Sequence, residues 1–308
     1  MDKREYTKPF LTFDQQADLL IERGLCSSRE DICHYLRQVN YYRLCGYWHP
    51  FYQRDEKGIC LQQFREGTTI EKIWRQYTFD RQFRVLMMDA IERVEISLRT
   101  KFAYYTAKAY GAFAYANRST YRENPHTPPL RADAPTRERR KYENRCKKNN
   151  FDLRHSQILR RLNSQFRLSL EKSAKHFNRN YTNPYPPIWI ATEFMTFNMV
   201  ASLIEMSEKS IIKQIADDYL LPKPVFLSWL QGINEIRNIC AHHSRLWNRT
   251  LGVQFKIPKY KKTPELRKMM EVHPSNKMFF GTIVLRLLLG NIAPQSKWQD
   301  RWEALLAQ

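Results

Sequence analysis

Apolar residues recur at three- and four-residue steps over most of this chain, the spacing that lines one face of a helix. Residues 12 to 24 predict a first helix: Thr12 stands at the cap position, Phe13, Ala17, Leu20 and Ile21 form the stripe, and Gly24 ends it. Ser27 or Ser28 then caps a second helix through Tyr35 and Leu36. The stretch from Tyr47 to Tyr52, the DEKG of 55–58 and Ile59 to Phe64 predict a short hairpin, with Pro50 confining it to an edge. From Ile70 the helical spacing runs through Ile73, Tyr77, Phe83, Leu86, Met87, Ile91, Val94 and Leu98. It predicts one long helix to Tyr110, with Gly111 as its stop. Four prolines make 123–137 a loop, and a helix follows from about 137 to 177 with a break near Asn149 and Asn150. TNPYPP at 182–187 is a rigid turn. Helices are then expected from Trp189 to Met206, at 208–219, from Val225 onward, at about 264–272, at 276–291 and from Trp298 to Leu306. The fold class is mainly α: a small mixed helical and hairpin module over 1–65, then a helical domain over 66–308 carrying a basic insertion at about 118–150.

Charge changes this picture more than composition does. Lys and Arg number 51 against 31 Asp and Glu in 308 residues, a formal net charge of +20. The segment from Arg118 to Arg179 holds 17 basic and 6 acidic residues, and the segment from Arg245 to Lys268 holds 8 and 1, so these two carry +18 of the surplus. A single charged run is commonly just a solvated face. Two runs holding nearly all the excess read as a polyanion-binding surface, for phosphates or an anionic membrane surface, with a steep salt dependence. Arg139, Arg140, Lys147 and Lys148 in the first run and Arg245 and Arg249 in the second are the candidate RNA-binding residues. Tyr121, Tyr142, Phe151 and Tyr181 lie among the charges and are either packed or available to stack on bases.

Several function classes drop out. The 9 glycines are never clustered, which removes the phosphate-cradling loops of nucleotide enzymes. No apolar run reaches the ~18 residues of a membrane span, and the first ten residues lack the apolar stretch of a signal peptide. The 6 cysteines form no CxxC pair or zinc-finger spacing, so reduced thiols, a cytoplasmic setting and no metal or cofactor are expected.

The chemistry concentrates in NEIRNICAHHSRLWNR, from Asn234. On a helix Asn238 and His242 share a face, Arg237 can swing to it, and Arg245 joins it three residues after His242. A histidine moves protons near neutral pH, and a guanidinium grips phosphate through two parallel hydrogen bonds. That set suits a metal-free phosphodiesterase acting on RNA, where the substrate's 2′-hydroxyl is the nucleophile. The alternative is a structural network, since histidines beside arginines are more often structural than catalytic. His243, about 100° round an ideal helix from His242, takes the structural role. His34, His49, His126, His155, His176 and His273 are scattered and read as structural too.

The run from Arg237 to His242 resembles the R-x4-H signature of the HEPN superfamily, and its surroundings resemble the Abi-like (abortive infection) family of bacterial phage-defence proteins. The resemblance extends over KPFLTFDQQADLLIERGL at 8–25, VNYYRLCGYWHPF at 39–51, FDRQFRVLMMDAIERVEISLRT at 79–100, PPIWIATEFMTF at 186–197 and AHHSRLWNR at 241–249, in the family's order. Asn198 departs from the glycine expected after Thr196 and Phe197, and the basic stretch at 123–148 has no counterpart. The resemblance implies an all-α HEPN-like bundle whose R-x4-H helix pairs with a second copy, hence a homodimer. It also implies a metal-independent endoribonuclease of abortive infection, with a restraining antitoxin or small RNA as a further partner. Carried over, Arg237 and His242 are catalytic, Asn238 supports them, and Glu95 and Arg99 orient the site or form an ordinary ion pair one turn apart. One rival reading uses the same Arg and His as phosphate ligands, in a non-catalytic protein holding a structured RNA; a third is a protein-interaction module, a common role of helical domains of this size.

Overall fold

The structure is a computed structural model describing residues 5–131, 133–258, 268 and 271–307. It is mainly α, with one two-stranded hairpin among the described residues. The helix expected at about 264–272 falls largely outside them. Two compact units emerge. One runs to Val85 and includes Arg245–Trp247 and the end of the chain from Leu305; the other comprises Leu86–Ser244 and Asn248–Ala304. None of the described helices is long and apolar enough to cross a membrane.

In the first unit, α1 (Phe13–Glu22) begins with a reciprocal cap: the Thr12 hydroxyl accepts from the Gln15 amide at 3.2 Å, and the Gln15 side chain accepts from the Thr12 amide at 2.9 Å. Ser28 caps α2 (Arg29–Gln38). The first strand expected over Tyr47–Tyr52 is corrected: Tyr47 and Trp48 end a helix, His49–Phe51 form a 3-10 turn, and the chain becomes extended only at Tyr52. Asn40 caps α3 (Tyr41–Trp48), and the aromatic residues that resembled strand formers bury Tyr47 and Trp48 on one helical face. Only Tyr52–Arg54 (β1) and Cys60–Phe64 (β2) pair, antiparallel. Leu20, Ile32, Leu36, Leu44, Trp48, Phe64, Ile70 and Ile73 close the core.

A buried ionic clamp organises the rest of this unit. Asp80, fully buried, accepts from Tyr47 Oη at 2.6 Å, from the Trp247 amide at 2.6 Å and from the Leu246 amide at 3.1 Å, and pairs with Arg84 one turn on. Burial and the adjacent carboxylate push the Tyr47 phenol up to about 12, so it stays a donor. Arg245 donates to the Gly46 carbonyl at 2.5 Å, with its Cδ 3.5 Å from where a Cβ on Gly46 would sit.

α4 (Ile70–Tyr110) has the bounds its periodicity predicts; Gly111, at φ +89°, ends it. The second unit continues with α5 (Thr136–Asn149), α6 (Phe151–Arg167), α7 (Lys172–Asn180), α8 (Ile188–Ala191), α9 (Phe197–Met206), α10 (Lys209–Asp218), α11 (Lys223–Ala241), α12 (Met278–Ile292) and α13 (Trp298–Leu306). The single helix expected over 189–206 is broken: Met195 is extended and the Thr196 hydroxyl caps a new start at Phe197. The 137–177 helix breaks at Asn150 as expected and again at 168–171. Trp298 ties α13 to α4 through Nε1–H to the Leu86 carbonyl at 2.7 Å.

Candidate functional site

α11 starts behind Pro222, with Pro224 in its first turn where no intrahelical N–H bond is lost. Its buried face includes Phe226, Trp229, Leu230, Ile233, Ile236, Ile239 and Cys240. A strap of chain lies along a second face. Ser228 donates to the Gln254 carbonyl, Trp229 to the Lys256 carbonyl, and Glu235 accepts from the Gly252 and Val253 amides at 2.8 and 3.1 Å. Gly232 is required there: a Cβ would sit 2.3 Å from the Phe255 ring. Gly281 of α12 meets α11 as closely, 2.6 Å from Ile236 Cδ1 to a Cβ position. With two faces fixed this way, the remaining stripe is Leu227, Gln231, Asn234, Asn238 and His242, at steps of four, three, four and four.

The helix stops at Ala241, with His242 as its cap. The His243 amide donates to the Cys240 carbonyl and the Ser244 amide to the Ile239 carbonyl, at 3.0 and 2.9 Å. These two bonds with a left-handed residue between them are the Schellman stop, and His243, at φ +54°, occupies the position usually given to glycine. The expected helix face is therefore corrected at its far end. Asn238 and His242 share it, while Arg245 lies beyond the stop and belongs to the first unit, bonded to Gly46. His243 is set apart from His242 by the backbone turn rather than by 100° of helix.

His242 is exposed and Asn238 half-buried, and the side chains of both are without hydrogen-bond partners among the described residues. Arg237 is half-buried, and its Nε–H is fully buried with no acceptor. An orphaned buried donor costs ~1–3 kcal/mol, so the fold holds this guanidinium at a penalty that an incoming anionic oxygen would relieve.

The other expected residues fall elsewhere. Glu95 and Arg99 form an ion pair at 2.5 Å, and Arg99 also donates to the Met195 carbonyl at 2.8 Å. No hydrogen bond links the pair to the α11 stripe among the described residues. Arg139, Arg140, Lys147 and Lys148 are exposed on α5, a helix with no buried residue. A helix polar all round owes its place to charge and solvent rather than to a core. Arg139 Nε is bonded to the Ala134 carbonyl at 2.8 Å. Arg249 is half-buried beyond the stop. Of the aromatic residues weighed for stacking on bases, Tyr121 and Phe151 are packed. Tyr121 donates to the Tyr115 carbonyl, and the guanidiniums of Arg122 and Arg154 lie over the Phe151 ring, 5.7 and 5.6 Å from its centre.

Sequence reasoning missed a cleft of about 190 Å³ beside the stripe. Gln231 and Asn234 of α11 face Asn198 and Glu205 of α9, with Lys148 and Arg154 alongside. Glu205 accepts from Arg154 at 2.8 Å and Gln231 at 3.3 Å, with Lys148 3.5 Å away. Asn234 donates to Asn198 Oδ1 at 3.1 Å, leaving its own Oδ1 buried without a donor. Asn198, where a glycine was expected, is thus part of this wall. The one advance signal was the four-residue spacing of Asn234 from Asn238.

No curated protein and no solved structure matches the chain. The family profile of Abi-like proteins matches residues 34–248, which include the Asp80 clamp, the cleft and the whole of α11, and the chain belongs to this Abi-like protein family.

Proposed function

We propose that this member of an abortive-infection family is a metal-independent endoribonuclease, with Arg237 and His242 as its catalytic pair and Asn238 in support. The observation that carries the reading is the state of these three side chains. Arg237 and Asn238 stand on the last turn of one helix with His242 at its cap, and none of their side chains has a hydrogen-bond partner among the described residues. The superfamily reading of R-x4-H as a ribonuclease signature agrees with that.

In the proposed reaction the 2′-oxygen of the substrate attacks the adjacent phosphorus and the bond to the 5′-oxygen breaks. One group takes the 2′-hydroxyl proton, and another gives a proton to the departing 5′-oxygen. The products are a 2′,3′-cyclic phosphate and a 5′-hydroxyl. His242 performs one of the two transfers. Arg237 holds the phosphate and offsets the charge developing on its oxygens. One protomer offers a single histidine on this stripe, and exposure of His242 leaves it open to a second copy. A homodimer with two such helices facing each other would supply both transfers.

A second reading is favoured by the same exposure: a solvent-open His242 whose side chain has no hydrogen-bond partner among the described residues suits an RNA-binding protein without catalysis. Incubating the purified protein with mixed cellular RNA in excess EDTA separates the two. The nuclease reading expects cleavage, 2′,3′-cyclic ends, an intact DNA strand of the same sequence, and an active species that scatters light as a dimer. Binding without cleavage supports the second reading. Cleavage that requires metal, or that survives His242→Ala unchanged, overturns the assignment of these residues.

A further inference from the structure

We infer that the cleft beside α11 is a nucleobase subsite, which takes one unpaired base of a single-stranded RNA whose neighbouring phosphate lies at Arg237. This rests on the RNA-directed reading above and adds to it the strand class and the place where a base is read.

Four observations converge. The first is size: about 190 Å³ is below the ~300–1,000 Å³ of pockets for drug-sized ligands, and suits one small planar group rather than a duplex. The second is lining. Leu227, Leu230 and Ala201 give apolar walls, and Asn198, Gln231 and Asn234 bring three amides. Amides carry donor and acceptor on one plane, as the edges of bases do, and unpaired RNA is read by splaying a base into such a site.

The third is hydrogen bonding. The Asn234 amide nitrogen donates to Asn198, so its buried Oδ1 offers an acceptor that no described residue satisfies. Every base has an N–H on its pairing edge that could fill it. Three residues further along the same helix the orphan is of the opposite kind, the buried Nε–H of Arg237. Three residues of helix rise only ~4.5 Å. A nucleotide presents such a complement over a short span, with a donor on its base and acceptors on its phosphate.

The fourth is charge. Lys148 and Arg154 against Glu205 leave the cleft with one net positive charge, and the Glu205 contacts hold its wall rigid before any ligand arrives. Lys148 ends the exposed basic helix α5, so a strand following that helix would be delivered to the cleft.

The test is an abasic scan. A fluorescein-labelled single-stranded RNA of nine nucleotides, with one base removed at each position in turn, is titrated with full-length His242→Ala protein and followed by anisotropy. Base removal should weaken binding by about tenfold at one position and little elsewhere, the discrimination expected of a well-bonded base. Asn234→Ala should abolish that single sensitivity while the basal, salt-dependent affinity remains. Ser202→Phe, which fills the cleft from α9, should do the same, and circular dichroism checks that both variants fold. A flat scan, or a sensitive position unmoved by both folded variants, overturns the subsite. Its failure is separable from that of the nuclease reading. A wild-type protein that never cleaves but keeps the sensitive position retains the subsite and loses the nuclease. Cleavage with a flat scan does the reverse.

Discussion

Two pairs of polar residues, each spaced by four, behave in opposite ways. Asp80 and Arg84, one turn apart on α4, are nearly fully buried and saturated: the carboxylate takes a phenol, a guanidinium and two backbone amides. Asn238 and His242 have the same spacing on α11, and neither side chain has a partner among the described residues. The spacing is the same, with His242 at its helix's cap rather than inside it, and the larger difference lies in what the fold brings to each pair. Where tertiary structure supplies every partner, the group serves the fold. Where it withholds them, the group is available to a substrate.

The sharpest way to break this comparison is Asp80→Ala. It removes the ionic partner of Arg84 and frees the Leu246 and Trp247 amides, and removing one partner of a buried pair typically costs ~3–5 kcal/mol. Urea denaturation should show a loss of that order; a loss under ~1 kcal/mol would mean the clamp is incidental.

The mirror experiment is at the unsaturated pair. His242→Ala should leave the denaturation midpoint essentially unmoved and lower the cleavage rate by ~10²–10⁴, the usual contribution of a positioned proton-transfer group. Arg237→Ala should lower both cleavage and RNA affinity, because a phosphate ligand acts in the ground state as well as the transition state. A stable, folded Arg237→Ala protein with unaltered affinity would remove Arg237 from the phosphate site.

Much of the scaffold was legible in the sequence, because it rests on local signals. α4 follows from an uninterrupted three- and four-residue spacing ended by Gly111, and α1 from Thr12 and Gln15. Failures occurred where a long-range or unsigned event decided the outcome. Tyr47 to Tyr52 reads as a strand, yet Tyr47 and Trp48 end α3, which Asn40 caps and whose aromatic face the unit's core takes, and only Tyr52 is extended. The end of α11 has no glycine, so nothing announced the Schellman turn at His243, and Arg245 was carried onto a helix face it never reaches. The placement of Arg237 and Asn238 on one helix, with His242 four residues after Asn238, was visible through spacing. The cleft was not, since its walls come from four separate helices.

A smaller effect tests the basic helix. Arg139, Arg140, Lys147 and Lys148 lie on a helix without buried residues, so replacing all four with glutamine should leave the fold intact. For four lost contacts to single-stranded RNA, the log–log salt dependence of binding should flatten by up to ~3. An unchanged slope would take α5 off the RNA surface.

His155 shows a histidine of the saturated kind. It is buried, with Nε2 2.9 Å from the Tyr115 carbonyl, and burial holds its pKa below the ordinary 6.5. Below pH 6.5 the unfolded chain therefore binds more protons at this site than the folded one, and stability falls with pH until the lowered folded value is passed. Above that window the residue contributes no slope. Denaturation midpoints at pH 8 and pH 5.5 should differ in wild type, and the difference should shrink in His155→Gln.

The smallest expected effect is the most discriminating between adjacent residues. His243 holds a left-handed backbone, at φ +54°, that its Cβ disfavours. Glycine removes that strain and adds unfolded-state entropy, two contributions of opposite sign and about 1 kcal/mol each. His243→Gly should therefore fold with a stability within about 1 kcal/mol of wild type and retain most of the cleavage that His242→Ala loses. His243→Val, which adds a branched side chain at the same backbone angle, should be clearly less stable than His243→Gly. If His243→Gly instead abolishes cleavage while remaining folded, the division of labour between the two histidines is wrong, and the turn residue belongs to the reacting set.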